Sequence, residues 1–270
     1  MDKPTVELLA RAIRDSGTPA GPRSLLSFVG ALIPFTSSLV TLHARGGRPA
    51  LLYDDIRPER REIVVGAYLR GAYLLDPFYD YLVAGARERV VTLQDVQPDH
   101  FRKSRYFSSY YADVGLADEI GMFAKRRDGS HVFASIGRAH GMESFSKKGI
   151  ERLRHFQPVI EHLMRRQWDA GPPGADEREA GHGSLSFLTL DEALRRGEFR
   201  ALSAREREIV ALILKGHSSK SVAEQLGIAV GTVKNHRKSI YRRLAISSQS
   251  ALFSRFLRSI GYAPQESPER

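Results

Sequence analysis

The stretch LSAREREIVALILKGHSSKSVAEQLGIAVGTVKNHRKSIYRRL, residues 202–244, decides how the carboxyl-terminal part of this chain folds. Ser203-Ala-Arg-Glu206 has the spacing of a capping box. Ile209, Leu212 and Ile213 follow at helical intervals until Gly216, whose freedom at positive φ suits a helix end. Ser218 is placed to cap a second, short helix carrying Val222, Ala223 and Leu226, which Gly227 stops. A third helix is predicted from about Thr232 to Leu244. Two helices joined by a tight glycine turn form a helix-turn-helix corner.

A wheel turned by about 100° per residue from Val233 puts Ile240 and Leu244 within about 20° of it, so that side faces a core. Lys234, Asn235, Lys238 and Arg242 fall between about 100° and 200°, projecting together from a rod thin enough for a major groove. A charged arc is often only a solvated face. Here Arg237, Lys238, Arg242 and Arg243 stand between Thr232 and Leu244 with no acid among them, whereas a solvated face mixes signs to gain i,i+4 pairs. Lysine can donate to guanine O6 and N7, and asparagine can pair with adenine N6 and N7.

These residues, with Lys215-Gly216, Ser219-Lys220, Leu226-Gly227-Ile228 and Thr232-Val233-Lys234-Asn235-His236, resemble the LuxR-type DNA-binding domain of bacterial transcription regulators over residues 200–262. The resemblance implies a four-helix unit. Its third helix reads DNA through Lys234, Asn235 and Lys238, with Thr232, His236 and Arg242 near phosphates. For His236, on the flank of the core face, packing is an equal alternative. The fourth helix, about Ser248 to Ile260, would support dimer contacts through Leu252, Phe253 and Phe256. The sequence departs from the pattern at Ala229, where a capping Ser is usual, at Gly231, and at Ser221, where Glu is common. Losing a cap costs about 1 kcal/mol, so the first turn of the third helix is expected to be weak.

Charge supports a polyanionic partner. The 270 residues carry a formal net charge of +10, and residues 201–270 alone hold 12 Lys and Arg against 5 Asp and Glu. Composition is otherwise that of an ordinary globular protein, 42% hydrophobic and 27% charged, long enough for about two domains. There is no cysteine, which removes disulfide, thiolate and iron–sulfur chemistry. Ser24 to Leu42 is free of charge, but six Ser or Thr and Pro34 make it buried core rather than a lipid-spanning helix. Met1-Asp2-Lys3-Pro4 lacks the order of a signal peptide, so a cytoplasmic protein is expected.

Upstream, Ala170 to Ser184 is rich in Gly, Pro and charge and reads as a linker, followed by a short helix candidate from Leu190 to Arg196 capped by Thr189 and Glu192. Before it, Ser38–His43 and Ala50–Tyr53 flank Arg45-Gly-Gly-Arg48, and 119–125 and 131–137 bracket Arg127-Asp-Gly129. Both read as hairpins, and Val90–Leu93 is a fifth strand candidate. Helical periodicity runs over Thr5–Arg14, Pro58–Tyr73, Asp99–Tyr111 and Ser146–Trp168. The expected class is therefore α+β. An amino-terminal α/β/α sandwich around an antiparallel sheet of about five strands (1–168) is followed by a linker (169–199), an all-α four-helix helix-turn-helix domain (200–262) and a disordered tail (263–270).

Leu51-Leu-Tyr-Asp-Asp-Ile-Arg-Pro58 has some likeness to a phosphoacceptor loop, but no acidic pair near the amino terminus could hold magnesium, and Asp54 and Asp55 are better read as a strand end. Tyr68-Leu-Arg-Gly-Ala-Tyr73 followed by Asp76-Pro77 is similar to the tyrosine-rich helix of the autoinducer-binding domains of quorum-sensing LuxR proteins. That resemblance implies a small ligand, acyl-homoserine-lactone-like or other, held by Asp76, Tyr68, Tyr73 and Phe78. The family's pocket tryptophan is absent, Trp168 being the only tryptophan. Helix ending at Asp76-Pro77 and core packing of the tyrosines are the plain alternative.

Phe101, Tyr106, Phe107, Tyr110 and Tyr111, interleaved with Arg102, Lys103 and Arg105, have the mixture used for stacking on single strands. Packing aromatics beneath solvated cations is the stronger reading. No nucleophile elbow, phosphate loop or metal helix is present, and His155 and His162 lie seven apart, so no catalytic residue, metal or cofactor is assigned. The expected function is a dimeric, sequence-specific DNA-binding regulator controlled by a small molecule, with double-stranded DNA, a second copy and RNA polymerase as partners and no membrane. The alternative front part only oligomerises or binds a protein.

Overall fold

Asp2 accepts a hydrogen bond from the Thr5 backbone N–H and so starts helix α1, Lys3–Asp15. The structure, a computed structural model, describes residues 2–44, 47–86, 89–111, 114–169, 190–195 and 197–260, and of Ile63, Ser109 and Tyr110 the backbone alone. The expected turn at Arg45-Gly46, the linker from 170, the Thr189 cap, Arg196, the Tyr110 ring and the tail beyond 260 lie outside the described residues.

The described residues form two compact units that do not follow chain order. One comprises 2–61, 83–95 and 115–169; the other comprises 62–82, 96–114 and 190–260.

The first unit contains α1, α2 (Gly21–Leu32), and strands β1 (Ser37–His43), β2 (Ala50–Asp54), β3 (Val90–Thr92), β4 (Leu116–Lys125) and β5 (His131–Ala139). The strands make one five-stranded sheet in the order β2-β1-β5-β4-β3, every pair antiparallel. This is the expected sheet. At the β4–β5 turn Gly129 adopts φ +83° and Asp128 Oδ1 accepts from Ser130 N at 2.9 Å, which is why Asp-Gly marks the hairpin so well.

Alternation puts Ile120, Met122 and Ala124 of β4 with Val132, Ala134 and Ile136 of β5 on one face, in a core with Phe28, Val29, Leu153, Ile160 and Trp168. The opposite face is buried too, but partly polar. Phe123 stacks on Phe133 with centroids 4.9 Å apart, Ser135 Oγ donates to Glu119 Oε1, and Thr41 Oγ1 meets His43 Nε2 at 2.9 Å.

Helix α2 begins before Arg23 and runs through the first nine residues of the charge-free stretch, Ser24 to Leu32. It is buried at Leu25, Leu26, Phe28, Val29 and Leu32, so its apolar residues cover too wide an arc to show a clear period. The single long helix expected over Ser146–Trp168 is two, α4 (Lys147–His155) and α5 (Gln157–Trp168), which follow α3 (Pro77–Val83) in the chain. Pro158 in the first turn of the second has no N–H to continue the first.

The helix expected over 58–73 ends early, and the one expected over 99–111 is broken into short turns. Helical backbone does run unbroken from Pro58 to Arg70, as Pro58–Arg61, a π-helical turn at Glu62–Gly66 and Ala67–Arg70, and stops at Gly71 with φ +153° before the 3-10 turn Ala72–Leu75. A Cβ at Gly71 would stand 2.7 Å from Ile260 Cδ1, so close packing as well as conformation calls for glycine there. Helix α3 runs from Pro77 to Val83. Phe101–Lys103 and Phe107–Tyr111 are likewise short, separated by extended backbone at Ser104. After a short helix, Leu190–Leu194, come α6 (Ala204–Lys215), α7 (Ser219–Leu226), α8 (Val230–Arg243) and α9 (Gln249–Ser259).

Candidate nucleic-acid interface

Local signals build the corner as read from the chain. Ser203 Oγ accepts from Glu206 N at 3.2 Å while Glu206 Oε2 accepts from Ser203 N at 2.9 Å, closing both halves of the capping box on α6. Gly216 at φ +99° ends it, Ser218 caps α7, and Gly227 at φ +63° ends that helix. Ala229 has the extended backbone of an N-cap but offers no side-chain acceptor, and α8 has no acid in its first turn. The side-chain cap missing from the sequence is thus missing from the fold, yet helical backbone begins at Val230, two residues before the expected start at Thr232.

Val233 and Ile240 of α8 and Leu244 just beyond it are buried, whereas Thr232, Lys234, Asn235, Lys238 and Arg242 are exposed and His236 is half-buried. Lys234, Lys238 and Arg242 take part in no ion pair among the described residues. The other two cations of the helix are engaged within the protein, Arg237 half-buried and Arg243 exposed. Arg237 Nη1 donates to Ser219 Oγ at 3.2 Å and its guanidinium lies 5.8 Å from the Tyr241 ring centroid. Arg243 Nη1 stands 3.5 Å from Glu206 Oε2 and 3.3 Å from the Ala201 carbonyl.

Glu206 is a residue whose second role the sequence reading missed. It is only 3% exposed, and besides capping α6 its Oε1 accepts from Ser239 Oγ at 3.0 Å. Burial pushes its carboxyl up, but the Ser203 backbone, the Ser239 and Ser203 hydroxyls and Arg243 outweigh that and hold it below the usual range. One buried carboxylate thus ties α8 to the first turn of α6 and fixes how the cationic face is presented. Arg205 adds a second tie, donating to the Leu226 carbonyl at the end of α7 at 2.6 Å.

Helix α9 differs from expectation. Leu252, Phe253 and Phe256 are all buried within this chain, Phe256 meeting Phe199 edge-on at 6.5 Å. They belong to the unit's own core and are not a dimer surface.

The four residues singled out for a ligand come together in the same unit. Tyr68 Oη donates to Asp76 Oδ2 at 2.9 Å, Phe78 N donates to Asp76 Oδ1 at 2.9 Å, and the Tyr68 and Tyr73 rings are 6.1 Å apart. All four are buried, and Tyr79, not foreseen, stands edge-on to Tyr73 at 4.9 Å. Phe101, Tyr106 and Tyr111 are buried against one another, which makes that cluster packing and not a stacking platform.

These segments touch the helix-turn-helix directly. Lys215 Nζ donates to Asp80 Oδ1 at 2.7 Å, Ser218 N to Asp99 Oδ1 at 3.0 Å, and His100 N to the Gly216 carbonyl at 3.1 Å. Burial raises the Asp80 carboxyl despite Lys215.

Among the described residues no group of His, Asp and Glu is placed to hold a metal, and no helix is long and apolar enough to cross a membrane. Residues 200–256 match the family described as bacterial regulatory proteins, luxR family. The chain is 32% identical over 190 residues, 70% of its own length and 96% of the relative's, to a protein named "Putative HTH-type transcriptional regulator in exeN 3'region" from Aeromonas salmonicida. It is 41% identical over 88 residues, 31% of its length and 39% of the relative's, to the monoamine regulon transcriptional regulator of Klebsiella aerogenes. Among solved structures it is similar to the VqsR LBD domain from Pseudomonas aeruginosa, with a TM-score of 0.54 at 20% identity over 62% of this chain and 97% of that one, a likeness of fold. Its relatives are transcriptional regulators, and it is not an enzyme. A helix-turn-helix with a free cationic face, in a chain that matches a regulator nearly end to end, places this protein in the LuxR family of bacterial transcriptional regulators.

Proposed function

We propose that this DNA-binding regulator is a cytoplasmic homodimer that reads a two-fold DNA site through Lys234, Asn235 and Lys238, anchored on phosphates by Thr232, His236 and Arg242. A small molecule, acyl-homoserine-lactone-like or other, held by Tyr68, Tyr73, Asp76 and Phe78, sets its DNA affinity. In this reading residues 1–168 sense and dimerise, 169–199 link, 200–262 bind DNA, and RNA polymerase is a further partner. One observation carries it. The helix that Asp76 caps also holds Asp80, which pairs with Lys215 at the end of α6, and α6 is tied through Glu206 to Ser239 on the reading helix. A ligand that moved Asp76 would pull on a short series of partly buried polar contacts ending at α8.

The test is DNA selection with the full chain, followed by anisotropy on the selected duplex with and without a panel of acyl homoserine lactones. A ligand that binds only the folded state raises its melting temperature. The expected result is a member of the panel that stabilises the chain and shifts its DNA affinity, with Asp76→Asn losing the response. A panel without effect on either quantity refutes ligand control.

A second reading has one observation in its favour: both Asp76 oxygens are already engaged, by Tyr68 Oη and Phe78 N, as a helix cap would be. In it the front part only oligomerises or binds a protein. Asp76→Asn would then lower stability and leave DNA affinity equal with and without every compound.

A further inference from the structure

The end of β4 with the turn that follows it, and the last turn of α5, carry cations that meet around one hollow. Lys125, Arg126 and Arg127 enter from the hairpin and Arg165 and Arg166 from the helix, about a cavity of about 710 Å³ in which Asp169 is a carboxylate neighbour. The strands and the helix are far apart in sequence, so no motif announces this cluster.

Arg126 is the unusual member. It is only 9% exposed, and its guanidinium is positioned by Ser130 Oγ at 3.1 Å, Asp128 Oδ2 at 3.1 Å and the Asp169 carbonyl at 3.3 Å. Its Nε–H is buried and has no acceptor among the described residues. A buried donor without an acceptor is costly, and one beside a cavity is a natural binding group. Around it the cations are unevenly balanced. Arg127 pairs with Asp169 and Arg165 with Glu161, while Lys125 and Arg166 have no ion pair among the described residues.

The plain explanation is complementarity between basic side chains and the negative end of α5. That covers Arg165, Arg166 and the bond from Arg126 to the Asp169 carbonyl. It does not cover Lys125 and Arg127, which come from a hairpin with no such helix end of its own.

We propose that this hollow binds a small compound bearing a chain of two or more phosphates. Guanidinium groups match phosphate oxygens two at a time, and spare positive charge favours more than one anionic group. The volume falls in the range of small-molecule pockets, about 300–1,000 Å³, and exceeds what a single phosphate needs. No Phe, Tyr or Trp is among the described residues lining it, so the phosphates, not a stacked base, supply recognition.

The chain provides its own reporter. Trp168, the sole tryptophan, directly precedes Asp169. Inorganic tripolyphosphate, ATP and a short DNA duplex are titrated into the full chain and Trp168 emission is followed, in wild type and in Lys125→Glu, Arg166→Glu and Lys238→Ala. Lys125 and Arg166 are exposed, so their reversal preserves the fold, checked by an unchanged melting curve. The expected result is a saturable change with tripolyphosphate that each reversal weakens about tenfold and Lys238→Ala leaves alone. ATP behaving in the same way assigns a nucleoside polyphosphate, and a response to tripolyphosphate alone assigns an inorganic chain. No saturable change, equal binding in the reversed variants, or loss in Lys238→Ala alone overturns the site. A duplex that moves Trp168 emission and loses the effect in Arg166→Glu makes this a DNA contact and equally overturns the proposal.

Discussion

Replacing Arg242 by alanine should change the salt dependence of DNA binding, and the structure sets how much. Five cations follow Val233 on α8, but Arg237 is engaged by Ser219 and Tyr241 and Arg243 by Glu206, leaving Lys234, Lys238 and Arg242 for DNA. Each phosphate neutralised on duplex DNA adds about 0.9 to the slope of log affinity against log salt. Arg242→Ala should therefore lower the slope by about 0.9 per bound protomer. Between 50 and 200 mM salt this is about a 3.5-fold smaller loss of affinity. Arg237→Ala should leave the slope unchanged and lower stability by about 1 kcal/mol, because it loses a half-buried hydrogen bond and a ring contact. Asn235→Ala should keep the slope but lose about 1–3 kcal/mol of discrimination at one base pair. Fluorescence anisotropy over a salt series, with urea unfolding of the same proteins, reads all three. Parallel log–log lines for wild type and Arg242→Ala, or a slope lost in Arg237→Ala, would refute this division of the helix's cations.

Two stability predictions follow from single residues. Ala229→Ser places an acceptor where the backbone already has N-cap geometry, φ −69° and ψ 147°, and should stabilise the helix-turn-helix by about 1 kcal/mol, seen as a higher melting temperature; no increase would mean that α8 is capped by other means. His43 is buried, and burial, then the nearby His131, lowers its pKa from 6.5 to about 3. The unfolded chain therefore takes up the proton first, and stability falls as pH drops from about 6.5 towards 3, by about 2 kcal/mol at pH 5. His43→Gln should remove that part of the drop in urea titrations at pH 7 and pH 5, and an unaltered pH dependence would contradict it.

The tail was legible because its determinants are local. Ser203 and Glu206, Gly216, Ser218 and Gly227 act over three or four residues, and the Val233, Ile240, Leu244 stripe repeats along one helix, so spacing alone specifies them. The Asp-Gly hairpin was legible for the same reason. Where the reading fell short, distant residues intervened. The 58–73 helix breaks at Gly71, beneath Ile260, and the tail's fourth helix buries the side chains that looked like a dimer face because Phe199 and its neighbours pack there.

By itself, then, the sequence determined that a capped, glycine-terminated helix pair presents a basic third helix, and that five strands close an antiparallel sheet, since turns, caps and hydrophobic period are short-range properties of the chain. Only the tertiary structure decided which of the third helix's cations stay free, that the Glu206 carboxylate orients them, that residues 62–82 and 96–114 pack in one unit with the tail, and that a hairpin and a distant helix surround one cationic hollow. Those outcomes depend on side chains tens of residues apart meeting through burial and hydrogen bonding, which no local spacing encodes.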